Sequence, residues 1–128
     1  MTRPPTILHV DDDPAIREIV RLLLEKIGGF AVTSVASGQE ALAIVQRQPP
    51  DLVLLDVMMP GMSGPETLQA LRDRQEHASL PVVFLTAKVL QSEMEQLARL
   101  DPAGIIQKPF RGEDLVSKVR QVLAGGRC

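Results

Sequence analysis

The stretch Asp51-Leu52-Val53-Leu54-Leu55-Asp56-Val57-Met58-Met59-Pro60-Gly61 decides the fold. Four consecutive apolar residues lead into the carboxylate Asp56, and a Pro-Gly turn signal follows. A short apolar run bounded by turn signals is typical of a strand that is buried on both faces. Asp56 then lies where the strand leaves the sheet, at the edge where open α/β sheets bind ligands. A carboxylate there can act as a nucleophile, a metal ligand or a turn-capping acceptor, and the stretch alone leaves these roles open.

Short strands of this kind alternate with amphipathic helices along the whole chain. The predicted strands are residues 6–10, 30–35, 52–55, 81–85 and 104–107. The predicted helices run from Pro14 to the Gly28-Gly29 pair, from Ser37 to about Gln48, from Ser63 through Leu71, over residues 90–100, and across the apolar positions between 115 and 123. Strict alternation of apolar strands with helices indicates a parallel sheet covered on both faces. Right-handed crossovers then favour an α/β, flavodoxin-like (βα)5 doubly wound sheet with strand order 2-1-3-4-5.

Local signals predict where helices begin and which residues they bury. Asp13 precedes Pro14 and is the natural N-cap of the first helix, and capping-box spacing begins two further helices at Ser37 and Ser63. The residues expected to face inward are Ile16, Ile19, Val20, Leu23, Leu24 and Ile27 in the first helix, and Met94, Leu97 and Ala98 in the fourth.

Composition and charge exclude several classes of function. The 128 residues suffice for one hydrophobic core, and a single domain is expected over residues 1–128 with its core at about 6–124. A net charge of −2 argues against direct binding of nucleic acid. Because no apolar run reaches the ~18–20 residues of a membrane helix and no signal segment is present, a cytoplasmic location is expected. The single cysteine, Cys128, provides neither a disulfide framework nor metal-ligand spacing, and it is expected to be an exposed free thiol.

Five polar residues lie at the predicted carboxyl ends of strands: Asp11, Asp12, Asp56, Thr86 and Lys108. With strand order 2-1-3-4-5 they come from four adjacent strands and converge on one crevice. Neighbouring carboxylates repel one another, and a bound cation relieves the repulsion. Mg²⁺ suits such a site because it takes one or two carboxylates and keeps its other positions for water and phosphate. Asp56 is then left as a nucleophile that would form an acyl phosphate, with Lys108 and Thr86 on the phosphoryl oxygens.

Four motifs carry a resemblance to a known family. Val10-Asp11-Asp12-Asp13-Pro14, the stretch from Leu55 to Gly64, Leu85-Thr86-Ala87 and Lys108-Pro109-Phe110 follow the order of a response-regulator receiver domain, the CheY-like family of two-component signalling. The resemblance implies that Asp56 accepts a phosphoryl group from a sensor histidine kinase or a histidine phosphotransfer protein. It implies that Asp12 binds Mg²⁺ directly, that Asp11 binds it largely through water, and that the backbone carbonyl of Met58 completes the protein ligands. Thr86 and Lys108 would hold the phosphoryl oxygens, and the small Ala87 would leave the entrance open.

The function implied by the resemblance is signalling. The chain would catalyse only its own phosphorylation and dephosphorylation, and the modification would shift its conformation and its contacts with an unidentified downstream protein. A stand-alone regulator is favoured over a receiver cut from a longer chain, because the sequence starts at Met1 and has no trailing linker.

Several positions depart from the family pattern. Ile105 stands where receivers usually carry a Tyr or Phe that packs inward when the threonine moves, so we expect the aromatic read-out to be absent or replaced. The run Asp101-Pro102-Ala103-Gly104 predicts an unusual loop before the fifth strand, and Arg111 replaces a common capping residue. Met58 and Lys88 would flank the attacking water, and slow self-hydrolysis is expected because Met cannot orient water.

Neither histidine resembles an exposed helical phosphoryl donor. His9 lies on an apolar strand on the same side as Asp11, and it is interpreted as a packed sheet residue, with tuning of the acidic site as the alternative. His77 belongs to a polar connection and is expected to be solvated.

Three other functions compete with the signalling interpretation. A haloacid-dehalogenase-like phosphatase also uses a strand-end Asp, Mg²⁺, Thr and Lys, but its second acidic residue would stand at the place of Met58. A flavodoxin would need a phosphate-binding loop where the three carboxylates after the first strand repel phosphate. The third is a receiver that docks constitutively without phosphorylation, against which the intact set of site residues argues.

Overall fold

The computed structural model describes residues 3–87 and 90–125. Its strands are β1 (Thr6–Val10), β2 (Ala31–Val35), β3 (Leu52–Asp56), β4 (Val82–Thr86) and β5 (Gly104–Gln107). Its helices are α1 (Pro14–Lys26), α2 (Gly38–Arg47), α3 (Gly64–Arg72), α4 (Gln91–Ala98) and α5 (Gly112–Leu123). All strand pairs are parallel and the order is 2-1-3-4-5, so the predicted flavodoxin-like (βα)5 fold is confirmed.

The sheet divides the hydrophobic core into two layers. Because side chains alternate along a strand, every second residue faces α1 and α5 and the others face α2, α3 and α4. The first layer includes Ile7, Leu54, Val83 and Ile106 of the sheet with Leu24 of α1 and Val119 of α5. The second layer includes Leu8, Val53, Leu55 and Phe84 of the sheet with Leu68 of α3 and Leu97 of α4. All five residues of β3 are buried because this strand is central and covered on both faces.

The predicted N-caps are confirmed. The Asp13 carboxylate accepts from the N–H groups of Ala15 at 2.9 Å and Ile16 at 3.4 Å. Ser63 and Glu66 form a complete capping box at the start of α3. At α2 the Ser37 hydroxyl accepts from the Glu40 N–H, while the Glu40 carboxylate accepts from the backbone of Ala36. Side chains therefore satisfy part of the free N–H groups at these helix starts.

The predicted inward faces of two helices were partly wrong. In α1, Val20 and Leu24 are buried, but Ile19 is 50% exposed and Ile27 is also exposed. Ile19 lies one residue, or about 100° around the helix, from the buried Val20. The face of α1 that packs against the sheet is therefore narrower than the set of apolar residues in the sequence predicts. In α4 Leu97 is buried and Ala98 is exposed, because this short helix ends at Ala98 and presents one buried residue to the core.

The prediction for His77 was also wrong, since it is buried at 5% exposure. Residues 75–77 form a 3₁₀ turn after α3, and Arg72 donates to the backbone carbonyls of His77 at 3.3 Å and Leu80 at 2.8 Å. These contacts fold the connection back against the helix, which turn polarity alone does not reveal.

Lys88 and Cys128, for which the sequence makes predictions, lie outside the described residues. Within residues 3–87 and 90–125, no helix combines the length and the apolar character that a membrane span requires.

Candidate functional site

Three site residues lie on one side of the sheet at its carboxyl edge. Asp11 follows β1, Asp56 ends β3 and Lys108 follows β5, and each continues the alternation of the layer that faces α1 and α5. The Lys108 ammonium lies 3.0 Å from Asp56 Oδ1 and 3.5 Å from Asp11 Oδ2. Lys108 therefore reaches from the edge strand across β4 to both central carboxylates.

Asp11, Asp12 and Asp56 form an acidic cluster. Each offers one carboxylate oxygen, and these three oxygens lie within 4.8 Å of one another. Asp11 and Asp56 are buried, at 2% and 6% exposure, whereas Asp12 is exposed. Hard oxygen donors with one side open to solvent are the ligand set that Mg²⁺ prefers, so the residues present fit the implied ion.

The two carboxylates after β1 are held differently. Asp11 Oδ1 accepts from the Asp13 N–H at 2.9 Å, and the Asp11 N–H donates to the Val35 carbonyl at 3.1 Å. In the described part of the chain no hydrogen bond or ion pair holds the Asp12 carboxylate. Asp11 is thus committed to protein contacts, while Asp12 is open for a direct ligand bond.

The charges of the cluster do not balance. Burial raises the pKa of Asp56, with help from the neighbouring charges of Asp11 and Asp12, although the hydrogen bond from Lys108 opposes the rise. Burial lowers the pKa of Lys108, but the hydrogen bonds and charges of Asp56 and Asp11 outweigh it and leave that pKa raised. Lys108 pairs with two of the three carboxylates, and the negative charge that remains favours binding of a further cation.

Thr86 reaches the same edge from the opposite layer. It ends β4 and is fully buried, and the exposed Ala87 follows it. The half-buried Ile105 pairs in register with Phe84 and packs against the layer that faces α3 and α4, on the same side as Thr86. The predicted switch position is therefore filled by an aliphatic side chain in contact with the core.

A glycine places α3 against the end of β3. A Cβ at Gly64 would lie 2.3 Å from the Asp56 carbonyl oxygen, and the Gly64 N–H donates to the Val57 carbonyl at 3.0 Å. This close approach closes the loop that carries Met58, whose side chain is 66% exposed. Gly64 belongs to the motif that begins at Leu55, but the sequence does not show that its missing Cβ makes room for Asp56.

Below Asp11 the structure contains a buried polar pair. His9 is fully buried, as the sequence predicted, and pairs in register with Ser34 of β2. Burial, reinforced by the charges of Lys108 and Arg17, lowers the pKa of His9 to about 3, so its ring is neutral. Among the described residues neither ring nitrogen of His9 nor the Ser34 hydroxyl has a hydrogen-bond partner.

Sequence reasoning missed Arg17, whose Nη1 donates to the Asp11 backbone carbonyl at 2.8 Å. The signal available in the sequence was the position of Arg17. It is a positively charged residue in the first turn of a helix, four residues after the Asp13 N-cap and next to the acidic loop.

Comparison with known proteins identifies relatives over almost the whole chain. The profile of the response regulator receiver domain family matches residues 7–120. The chain is 40% identical over 124 residues to Response regulator Rre1 of Synechocystis sp., covering 97% of this chain and 54% of that protein. The solved structure of a putative response regulator from Chloroflexus aurantiacus is 33% identical, with a TM-score of 0.89 over 95% of this chain and 99% of the other. The Vibrio cholerae chemotaxis protein CheY4 is 31% identical, with a TM-score of 0.86 over 94% and 99% of the two chains. The chain spans about half the length of the curated relatives that it matches.

Proposed function

This chain belongs to the response regulator receiver domain family, and from that membership we propose that Asp56 accepts a phosphoryl group from a sensor histidine kinase or a histidine phosphotransfer protein. The observation that carries the proposal is the set of groups around Asp56. Asp11 and Asp12 offer oxygens within 4.8 Å, and the Lys108 ammonium lies 3.0 Å from Asp56 Oδ1. A candidate nucleophile, a candidate cation site and a positively charged side chain, which phosphoryl transfer uses, thus lie together at the carboxyl edge of the sheet.

In the proposed transfer an Asp56 carboxylate oxygen attacks the phosphorus of a phosphohistidine. The new O–P bond forms the acyl phosphate while the P–N bond breaks and its electron pair returns to the donor imidazole. The Lys108 ammonium pairs with a phosphoryl oxygen, and the Thr86 hydroxyl donates to another. Asp11, Asp12, Asp56 and the backbone carbonyl of Met58 would hold Mg²⁺, which neutralises phosphoryl charge when it is bound. The small side chain of Ala87 leaves room for the donor.

The same residues favour a phospho-acceptor over a phosphatase that acts on other molecules. Rapid hydrolysis of an acyl phosphate needs a group that orients or deprotonates water. Met58, two residues after the nucleophile, carries a thioether that does neither, and its side chain is largely exposed. We therefore propose that the chain catalyses only its own phosphorylation and slow dephosphorylation.

Phosphorylation is proposed to act through a shift between two conformations that present different protein contacts. Ile105 lies on the Thr86 side of the sheet and has no ring to rotate, so the read-out is proposed to proceed without an aromatic switch. We assign the receiver domain to residues of about 6–124, in the cytoplasm. Its partners are proposed to be a phosphoryl donor and an unidentified protein target, with neither nucleic acid nor membrane bound directly.

The proposal is tested by intact-protein mass after incubation with acetyl phosphate, with and without Mg²⁺. We expect a gain of one phosphoryl group that requires Mg²⁺ and is lost in Asp56→Asn. Asp51→Asn is the matched control, because it makes the same change beside the other end of β3, where Asp51 bonds to Thr6. It should be phosphorylated like the wild type.

Two results would contradict the proposal. Retention of the gain in Asp56→Asn would place the acceptor elsewhere. A folded wild-type chain that gains no phosphoryl group from acetyl phosphate or from a panel of phosphorylated histidine kinases would favour the constitutive docking domain.

A further inference from the structure

Arg17 of α1 lies against the acidic residues that follow β1, and the proposed transfer gives it no role. Its guanidinium Nη1 donates to the backbone carbonyl of Asp11 at 2.8 Å. One turn later on the same helix, Arg21 forms ion pairs with Glu18 and Glu25. Arg17 therefore contacts the acidic loop after β1, whereas Arg21 pairs with two glutamates of its own helix.

Arg17 adds a fourth contact to Asp11, whose N–H group and two carboxylate oxygens are also held. The Asp11 N–H donates to Val35 at 3.1 Å, Oδ1 accepts from the Asp13 N–H at 2.9 Å, and Oδ2 lies 3.5 Å from Lys108 Nζ. The carbonyl that Arg17 holds differs from these atoms, because it belongs to the peptide group that joins Asp11 to Asp12. A peptide group is planar, so fixing its oxygen fixes the direction in which Asp12 leaves the sheet.

Asp12 depends on this peptide group for its position. In the described part of the chain no hydrogen bond or ion pair holds its carboxylate, yet one of its oxygens lies within 4.8 Å of oxygens of Asp11 and Asp56. The position of the Asp12 carboxylate is therefore determined by the Asp12 backbone. A charged guanidinium gives a strong and directional hydrogen bond to a carbonyl, which suits that task.

We propose that Arg17 is a positioning residue for the divalent cation, because it orients the Asp11–Asp12 peptide group and so holds the Asp12 carboxylate toward Asp11 and Asp56. The inference rests on the proposed function, since it concerns the cation site of the phospho-acceptor. Groups that orient the ligands of a metal ion contribute to its affinity without touching the ion.

The test compares Arg17→Met with Arg21→Met by isothermal titration with Mg²⁺. Methionine keeps much of the aliphatic length of arginine and removes its donors, and Arg21 provides the matched loss of an arginine from the same helix. Calorimetry is preferred to intrinsic fluorescence because the chain has no Trp and no Tyr. Arg17→Met is expected to weaken Mg²⁺ binding by about 10- to 100-fold, as is typical when an orienting partner is removed. Arg21→Met is expected to leave it unchanged.

Further measurements separate positioning from packing. Thermal unfolding without Mg²⁺ should be similar for the two Met variants, and amide exchange of Asp13 should be faster in Arg17→Met alone. Arg17→Lys should recover part of the Mg²⁺ affinity, because it keeps the charge but not the planar fork. If Arg17→Met does not fold, Arg17→Lys against Arg21→Lys carries the test, with weaker Mg²⁺ binding in the former expected.

Equal Mg²⁺ affinity in the folded Arg17 and Arg21 variants would overturn the inference and leave the proposed function intact. A wild-type chain that does not bind Mg²⁺ at all would instead contradict the cation site itself. The two failures are therefore distinguishable in one set of titrations.

Discussion

The carboxyl edge of the sheet and the α4–β5 side of the molecule are held in different ways. At the edge, Asp11 is fixed by contacts from β2, from α1 and from its own loop, and Lys108 bridges it to Asp56. On the other side, Leu97 is the buried residue of α4, and the N-cap of that helix makes no side-chain hydrogen bond. Four of the five strands end at a buried residue, whereas β5 ends at the exposed Gln107.

This difference indicates where a chemical event can be converted into a change of shape. An acyl phosphate at Asp56 would add charge and acceptor oxygens to a region in which Asp11 and Lys108 each have several partners. Movement is cheaper where few contacts must be broken, and the α4–β5 side offers that condition. We therefore expect the edge to keep its geometry and the α4–β5 side to move.

The largest effect should follow from breaking the edge itself with Lys108→Met. Loss of one protein group that stabilises the charge of a transition state typically slows a reaction by about 100- to 1,000-fold. The rate of phosphorylation by acetyl phosphate should fall accordingly. Mg²⁺ affinity should be kept or increased, because a cation near the carboxylates has been removed. Lys118→Met on α5 is the control, and a phosphorylation rate of Lys108→Met equal to that of the control would contradict the role of Lys108.

Gly64→Ala should break the link between α3 and the edge. Its Cβ would lie 2.3 Å from the Asp56 carbonyl oxygen, which is backbone and cannot rotate away. We expect a loss of about 3 kcal/mol in the free energy of unfolding, measured by urea denaturation. Gly61→Ala is the matched variant: Gly61 has a φ of +74° and no atom near its Cβ position, so about 1 kcal/mol should be lost. Equal losses of unfolding free energy in the two variants would show that the backbone near Gly64 moves to accommodate the added methyl group.

Some parts of the fold and of the site were predictable from the sequence, and others were not. The strands and the five strand-end residues were predictable because each apolar run ends at a turn signal, and strand order follows from right-handed crossovers. The exposure of Ile19 and Ala98 was not, because apolar periodicity gives the direction of a helix face but not the width of its contact. Arg17 and Gly64 contact backbone atoms of Asp11 and Asp56, which come earlier in the chain, and His77 is buried by a turn held by Arg72. Such contacts depend on tertiary geometry.

Leucine truncation should show how lightly α4 is held. Leu24 and Leu97 are both buried, but Leu24 belongs to the long helix α1 and shares a core layer with the sheet and α5, whereas Leu97 belongs to a helix of about two turns. Leu24→Ala should lower the free energy of unfolding by about 3 kcal/mol and Leu97→Ala by about 2 kcal/mol, because a loosely held helix collapses into the space left. Only Leu97→Ala should leave the phosphorylation rate unchanged while increasing amide exchange across α4. A larger loss at Leu97 than at Leu24 would contradict the difference between the two sides.

The smallest effect is expected at Met58, which lies at the carboxyl edge with its side chain 66% exposed. Its thioether does not orient water, so the acyl phosphate of the wild type should decay slowly. Met58→Asn would add an amide that can hold a water molecule near the phosphorus, and decay should become roughly fivefold faster, well below the gain from a true general base. Loss of the phosphoryl group, followed by intact mass after removal of the donor, measures the rate, and Met94→Asn on α4 is the control. Fast decay in the wild type that is unaltered in Met58→Asn would show that other residues determine the lifetime of the acyl phosphate. The exposed Met58 side chain would then not control access of the attacking water.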